Sequence, residues 1–376
     1  MSLYDKIASG GSIMLTFDTF YPSDIHITDQ TLLLNIETTG LSPRNAFVFM
    51  IGLGWQEEKG WHFQCLLAEK KMDERELMQS FQQILENFSQ VLTYGGHSFT
   101  YRFLNNRWRN YSDADCFSSE DTADLTLFQS VRQLDIQKDI SPFRHLLSLE
   151  NTRKATAEAF IRYTRPEHLA PEALVKCYTS WELSKEDTLL LQLKSHHEAD
   201  MIGLLHLHSL SAYTQFFRGR FAKVHLCRLE ENFCHLALIL ETPVPQRVQL
   251  SNALLSLSLE KDTAHLVIPV LSGELKYFLP GPVKDYYYLP KEDRAIHRSI
   301  ACYVDKAYRQ KATAATCYIR QEGIFLPSFD TSLQPTFRKS FDDKQLYILC
   351  DTEKLTSDPA FLRSYISSLI KEVASV

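Results

Sequence analysis

The sequence predicts an α/β domain with a mixed sheet flanked by helices, followed by a smaller β-rich α+β domain. Three observations support this fold class. From Thr31 the chain shows three strand patterns, a helical pattern and a fourth strand. Helical spacing then dominates to about residue 210, and alternating apolar and polar residues recur after residue 220. With 376 residues the chain has the length of about two domains. We place a lead-in at residues 1–30, the first domain at 31–210 and the second at 220–376.

The first domain begins with apolar strand patterns. An amphipathic helix and a short buried strand follow, and then a basic helical segment, a cap of short helices and one long helix. The predicted strands are Thr31–Ile36, Ala46–Trp55, Trp61–Leu67 and Val91–Tyr94, and the predicted helices are Met72–Phe88, Tyr101–Tyr111, Leu125–Gln133, Pro142–Leu149, Ala155–Tyr163, Pro171–Ser180 and a helix capped by Ser184 that extends to about Leu210.

The second domain alternates between strand patterns and polar turns, with two helical patterns near its end. The predicted strands are Val224–Leu229, Phe233–Leu240, Leu254–Leu259, Leu266–Leu271, Leu275–Leu279, Tyr286–Leu289, Thr316–Arg320 and Leu346–Cys350, and the predicted helices are Glu292–Gln310 and Pro359–Val373, the last capped by Ser357 or Asp358. No catalytic constellation is visible in this half of the sequence.

Composition excludes several classes of protein. No apolar run approaches the roughly 20 residues that span a bilayer, and the first residues lack a signal pattern, so we expect a cytoplasmic protein without a membrane partner. The eight cysteines show no Cys-x-x-Cys spacing, which argues against structural zinc and a disulfide framework. The net charge of −6 argues against tight binding of long nucleic acid, so any nucleic-acid contact should be short and local.

The end of the first strand carries the first candidate site. Asn35 and Glu37 are two residues apart and therefore share one face of a strand, whereas Ile36 points into the core. The turn that follows, residues 38–41, supplies hydroxyl groups and a bare backbone beside that face. This spacing directs two polar side chains toward a single point at the end of the strand.

Residues 35–41 resemble the first motif of the DEDD-type 3′–5′ exonucleases of the ribonuclease H-like superfamily, Asp-x-Glu-Thr-Thr-Gly-Leu, with Asn35 in place of the leading Asp. The resemblance implies a ribonuclease H-like mixed five-stranded sheet. It also implies a Mg²⁺ or Mn²⁺ site with Glu37 as a ligand, and substrate contacts from Thr39, Gly40 and Leu41, where Leu41 wedges against the terminal base. A neutral amide at position 35 should weaken the binding of a hard cation.

Residues 94–100 occupy the place of the second motif, which in the YprB-like branch of predicted nucleases is Tyr-Asn-Gly-x-x-Phe-Asp. Tyr94 and Phe99 match and are implied substrate contacts, whereas Gly95 replaces Asn and Thr100 replaces the metal-binding Asp. On the residues alone, the paired glycines are typical of a turn between a strand and a helix.

The third motif lies on the predicted long helix. His196 and Asp200 are four residues apart and therefore lie on one helix face. They resemble the His-Asn-x-x-Asp of the family, with His197 in place of Asn. The resemblance implies that Asp200 is the last metal ligand and that His196 orients or deprotonates the attacking water.

Two further segments are candidates for substrate or metal contacts. Arg102, Arg107 and Arg109 are interleaved with Trp108 and tyrosines, a combination that suits phosphates and stacked bases, although a solvated amphipathic helix would have the same composition. Asp124 lies in an element that resembles the family's Asp-Leu, and it is either a substitute ligand or a helix cap.

These patterns leave three functions open. The preferred one is an exonuclease-like protein that binds the 3′ end of a short single-stranded nucleic acid with absent or weak phosphodiesterase activity, because two of four metal-binding carboxylates are replaced. The first alternative is an active metal-dependent 3′–5′ exonuclease on single-stranded DNA or RNA, in which Mg²⁺ or Mn²⁺ is weakly bound by Glu37 and Asp200. The second is a non-catalytic scaffold for protein docking, with the C-terminal domain as a possible binding surface for a protein partner.

Overall fold

The computed structural model describes residues 5–9, 12–28, 30–112, 127–166 and 169–375. The chain divides into two compact units. The first consists of residues 1–144 and 149–211, and the second of residues 145–148 and 212–376. Each unit is described separately. None of the described helices is both long enough and apolar enough to cross a membrane.

The first unit is built on a seven-stranded mixed sheet with the strand order β1-β2-β5-β4-β3-β6-β7. Its strands are β1 (Asp5–Ser9), β2 (Ser12–Pro22), β3 (Thr31–Thr38), β4 (Val48–Glu57), β5 (Gly60–Ala68), β6 (Gln90–Thr93) and β7 (Arg132–Asp135). The pairs β3–β6 and β6–β7 are parallel, and the other neighbouring pairs are antiparallel. The ribonuclease H-like fold class is confirmed, with seven strands in place of the expected five.

The two additional strands come from the segment that we expected to be a lead-in. β2 pairs with the whole of β5, from Met14 opposite Ala68 to Pro22 opposite Gly60. Its residues Met14, Leu15 and Phe17 are buried. The sequence pattern missed this strand because its burial depends on a partner strand that lies 38 to 54 residues further along the chain.

The described residues of this unit also form six α-helices. They are α1 (Glu74–Leu85), α2 (Thr100–Ser112), α3 (Ile136–Ile140), α4 (Lys154–Phe160), α5 (Pro171–Ser184) and α6 (Asp187–Leu207). Leu32, Leu34 and Ile36 of β3 pack in one core with residues of α1 and α2. The other face is covered by α5 and α6, whose apolar residues share a core with β4 and β5. Asn35 and Glu37 alternate with these apolar residues along β3, so their side chains lie on the opposite face of the sheet, which α6 covers.

Two helix predictions in the first unit are wrong in their described parts. Within Leu125–Gln133, residues 127–130 form a turn and Arg132 begins β7. The apolar residues Leu127, Phe128 and Val131 are compatible with a helix or with a segment that leads into a buried strand. The residues that follow pair with β6, so the segment leads into a strand. The predicted helix Pro142–Leu149 is a single 3₁₀ turn at Ser141–Phe143 followed by turns. Ser148 adopts a left-handed φ of 53°, which ends helical geometry there.

The described residues of the second unit form three small sheets and four α-helices. The strands are β8 (Lys223–Glu230), β9 (Phe233–Ile239), β10 (Val248–Ser251), β11 (Ser256–Glu260), β12 (Thr263–Pro269), β13 (Leu271–Phe278), β14 (Tyr286–Leu289), β15 (Arg294–His297), β16 (Gln310–Lys311), β17 (Tyr318–Ser328) and β18 (Leu346–Leu349). Their orders are β10-β11-β12-β9-β8, β13-β17-β18 and β15-β14-β16. The helices are α7 (Ser211–Phe217), α8 (Arg298–Ala301), α9 (Thr352–Ser357) and α10 (Pro359–Ser375).

The two predicted hairpins of this unit, now β8–β9 and β11–β12, are present, and α10 matches the predicted last helix. Its first turn is capped by Asp358, whose carboxylate accepts a hydrogen bond from the Phe361 amide at 3.0 Å. The predicted helix Glu292–Gln310 is wrong. Asp293 has a left-handed φ of 48°, and the next residues form β15 against β14.

Candidate active site

The candidate active site forms where β3 meets α6. Asn35 and Glu37 lie on the face of β3 that is turned toward α6, as their spacing predicted. His196 and Asp200 lie one turn apart on α6, and both are buried, with 4% and 5% of their surfaces exposed. The structure therefore brings four of the five predicted catalytic residues together.

The four side chains form a connected polar cluster. The Asn35 Nδ2 atom donates to Glu37 Oε1 at 3.2 Å and to Asp200 Oδ2 at 3.0 Å. His196 Nε2 lies 3.7 Å from Glu37 Oε1 and 3.5 Å from Asp200 Oδ2. The side-chain amide of Asn35 thus occupies the space between two carboxylates, and the imidazole faces the same two groups.

Two cations that the sequence analysis did not select complete this cluster. Lys154, the first residue of α4, places its Nζ atom 3.0 Å from Asp200 Oδ1. Arg165 forms an ion pair with the same oxygen and also binds Glu158 through its Nε and NH2 atoms at 2.7–3.0 Å. Lys154, Glu158 and Arg165 lie in the segment that we expected to form a cap of short helices, and no motif or spacing in the sequence distinguishes them from the other charged residues there.

Burial and charge shift the pKa values of the two carboxyl groups in opposite directions. Burial raises the pKa of Glu37 above its ordinary value, and the facing His196 opposes this only in part. For Asp200, burial alone would also raise the pKa, but Lys154 and Arg165 hold it below its ordinary range. Asp200 is therefore a carboxylate whose charge is already balanced by two neighbouring cations.

His197 has a structural position. Burial lowers its pKa to about 4, and its Nε2 atom has no hydrogen-bond partner among the described residues. The imidazole packs against Gly52 of β4, where an added Cβ would lie 2.6 Å from His197 Cε1. Because Gly52 has no side chain, the neutral imidazole of His197 fits against the backbone of β4 and α6 packs closely on the sheet there.

A cavity of about 530 Å³ opens beside the cluster. This volume lies within the range of small-molecule binding sites. Its walls combine the charged cluster with an apolar side from α4 and α5, and they are formed by Asn35, Glu37, Lys154, Ala155, Glu158, Ala159, Tyr163, Thr164, Arg165, Leu169, Pro171, Leu174, His196 and Asp200.

The donor set fits one divalent cation. Glu37, His196 and Asp200 each offer one ligand atom, and these three atoms lie within 4.8 Å of one another. A two-ion centre does not fit the residues present. Asn35 directs an N–H donor at both carboxylates, and Asp200 Oδ1 already accepts from Lys154 and Arg165.

The second-motif segment serves a local structural role. Thr100 is the buried first residue of α2 and does not line the cavity. The Tyr94 hydroxyl donates to the Thr152 carbonyl at 2.9 Å, and the Phe99 ring packs against Phe103. Their predicted substrate contacts remain predictions.

A residue that the sequence analysis missed, Asp135, organises this segment. Its buried carboxylate, at the end of β7, accepts hydrogen bonds from the amides of Gly95 at 2.8 Å and His97 at 2.9 Å. Gly95 has a φ of 77°, which a side chain would strain. The sequence predicted a turn at the paired glycines, but it gave no indication that Asp135 accepts the hydrogen bonds that stabilise this turn.

The turn after β3 exposes one apolar side chain. The Thr39 hydroxyl accepts from the Phe47 amide at 3.1 Å, and the Gly40 carbonyl accepts from the Thr38 hydroxyl at 2.8 Å. Leu41 follows with 83% of its surface exposed. The turn therefore has a fixed backbone and presents a free leucine.

The arginines of α2 divide into two kinds. Arg107 is buried, and its guanidinium binds the buried Glu74 through two nitrogens, with Nε to Oε1 at 2.8 Å. The interpretation of Arg107 as a phosphate ligand is therefore wrong, because its charge is used to stabilise the fold. Arg102 and Arg109 are exposed. Asp124 lies outside the described residues.

One protein family and two solved structures are similar to parts of this chain. A family model described as the RNase_H superfamily matches residues 32–211. No curated protein matches the chain. A family B DNA polymerase from the hyperthermophilic archaeon Pyrobaculum calidifontis aligns with a TM-score of 0.31 and 11% identity over 69% of this chain and 38% of the polymerase, so the chain spans well under half of that protein. An ExoI/SSB-Ct complex aligns with a TM-score of 0.27 and 9% identity over 90% of this chain and 73% of that one.

Proposed function

We propose that residues 32–211, a domain of the RNase H superfamily, bind the 3′ end of a short single-stranded nucleic acid and hydrolyse phosphodiester bonds weakly or not at all. The observation that carries the proposal is the pairing of Asp200 with Lys154 and Arg165. Cations supplied by the protein neutralise the carboxylate that a two-ion nuclease would use for its metals.

The same cations suit a phosphate ligand. Lys154 and Arg165 line the cavity, and the Lys154 side chain is 23% exposed, so an anion in the cavity would lie beside both side chains. An oxyanion at this position would form charge-assisted hydrogen bonds with both groups. Leu41, exposed on the turn after β3, is available for an apolar contact with the terminal base. The apolar wall of the cavity supplies further surface for a nucleoside.

Hydrolysis requires activation of water at the scissile phosphate. A single Mg²⁺ or Mn²⁺ held by Glu37, His196 and Asp200 would act there as a Lewis acid. If the ion is instead held by Glu37 and Asp200 alone, the His196 Nε2 atom, which faces both carboxylates, is placed to accept a proton from a water molecule. Because binding of a dication competes with Lys154 and Arg165 for Asp200, we propose that catalysis is weak.

The test is fluorescence anisotropy with labelled single-stranded DNA and RNA decamers at low and moderate salt, without divalent ions. We expect weak binding that falls as salt rises, and a further loss of affinity in Leu41→Ala. Leu183→Ala is the matched control, because Leu183 is 87% exposed on α5 and does not line the cavity. Absence of binding to either polymer at tens of micromolar protein would favour the scaffold function.

A second experiment addresses activity. With Mg²⁺ or Mn²⁺ we expect little or no 3′–5′ degradation by the wild-type protein, and tighter metal binding in Asn35→Asp, which places a third carboxylate beside Glu37 and Asp200. Robust wild-type degradation that is lost in Glu37→Ala would instead identify an active exonuclease that works with the three ligands within 4.8 Å.

A further inference from the structure

The second unit presents an exposed group of aromatic and basic side chains. We name Ile300, Tyr303, Tyr308, Lys291 and Lys306 the basic aromatic surface. Tyr303 is 89% exposed, Ile300 59% and Tyr308 52%, so three large apolar side chains lie in solvent within nine residues. Isolated exposed apolar residues need no explanation, whereas three of them in one short loop make that loop a candidate interaction site.

The loop that carries this surface is anchored to the sheet beneath it. Ala301 is fully buried, and its carbonyl accepts a hydrogen bond from the Arg309 guanidinium. The same guanidinium lies 5.0 Å from the centre of the Tyr287 ring on β14. Ala301 and Arg309 thus attach the loop to β14, and this attachment leaves the side chains of Tyr303 and Tyr308 exposed to solvent.

The charge of this region has the opposite sign to that of the whole chain. Residues 283–311 contain seven lysines and arginines against four acidic residues, a net charge of +3, whereas the chain carries −6. Lys291 places its ammonium group 4.6 Å from the centre of the Tyr308 ring. Neither Lys291 nor Lys306 forms an ion pair with another described residue, and both are exposed. Their positive charges are therefore available to an anionic ligand.

We propose that the basic aromatic surface is a binding site for single-stranded nucleic acid. Unpaired bases would stack on the exposed Tyr303 ring and on the face of the Tyr308 ring opposite Lys291, and Lys291 and Lys306 would meet the phosphates. Lysine is depleted at the centres of protein–protein interfaces, so a protein partner fits this combination less well. The proposal is independent of the cavity beside Asp200, since it uses residues of the second unit only.

The experiment measures the affinity of the full-length chain for a labelled thymidine dodecamer and a labelled uridine dodecamer at 50 mM salt. We expect Tyr303→Ala combined with Tyr308→Ala to weaken binding at least tenfold, whereas Tyr303→Phe, which keeps the ring, retains it. Lys306→Gln should weaken binding less and make its salt dependence shallower. Phe233→Ala is the matched control, because Phe233 is an exposed aromatic residue on β9, outside this loop.

Unchanged affinity in the double tyrosine variant would overturn the proposal. If Leu41→Ala still weakened binding in that case, the function proposed for the first unit would survive alone. Competition by polyglutamate that equals competition by unlabelled oligonucleotide would also overturn it, since stacking of bases gives an advantage that an acidic polypeptide lacks. Undetectable binding of the wild-type chain at tens of micromolar protein would exclude both sites.

Discussion

Removing Lys154 should strengthen metal binding at the candidate active site. The Lys154 Nζ atom lies 3.0 Å from Asp200 Oδ1, and Coulomb's law with an effective dielectric constant of about 20 gives about 5.5 kcal/mol for such a pair of unit charges. The Lys154 side chain is 23% exposed and Arg165 remains in Lys154→Met, so we expect only part of this energy to be recovered. An increase of about 2 kcal/mol in binding free energy corresponds to about 30-fold tighter binding of Mn²⁺.

The assay is isothermal titration calorimetry with Mn²⁺ at pH 7.5. Lys194→Met is the matched control, because Lys194 lies on α6 and pairs with Glu198 at 3.8 Å, yet does not line the cavity. The combination of Lys154→Met with Glu37→Ala should lose the added affinity, because Glu37 is one of the three ligands. Equal Mn²⁺ affinity in the wild type and Lys154→Met, or the same gain in Lys194→Met, would refute the competition between lysine and metal.

Three further predictions concern stability. Burial lowers the pKa of His197 from 6.5 in the unfolded chain to about 4 in the folded protein. The unfolded state therefore binds a proton first, and the free energy of unfolding should fall by up to about 3 kcal/mol as the pH drops from 6.5 to 4. His197→Met should reduce this loss of stability in acid, measured by urea unfolding. Arg107→Met leaves the buried Glu74 without its countercharge, with the Val48 amide and the Tyr111 hydroxyl as remaining partners, and should destabilise the protein by about 3–5 kcal/mol, measured by urea unfolding. Gly52→Ala places a Cβ 2.6 Å from a buried imidazole carbon and should cost about 1–3 kcal/mol in the same measurement.

Each of these has a clear contrary outcome. An acid sensitivity that persists unchanged in His197→Met would assign it to other groups. The exposed Arg109→Met should change stability by less than about 0.5 kcal/mol, and an equal effect at positions 107 and 109 would contradict the buried ion pair. A fully stable Gly52→Ala variant would show that α6 is free to shift away from β4.

The sequence by itself determined the local geometry of the site. The period of two along β3 places Asn35 and Glu37 on one face, and the four-residue spacing on α6 places His196 and Asp200 on another. These are properties of a strand and a helix taken singly, so they follow from the residues alone. The order of the motifs then predicted that the two faces would meet.

Only the tertiary structure decided how the charges of the site are balanced. Lys154 and Arg165 reach Asp200 from positions 46 and 35 residues away in the chain, and no local period links these three residues. The strand β2 is likewise defined by its pairing with β5, and Arg107 was assigned to the fold only by its contact with Glu74. Local patterns record which way a side chain points along its own element. The partner that it meets there depends on the packing of elements distant in sequence, which a single sequence does not encode in any periodic form.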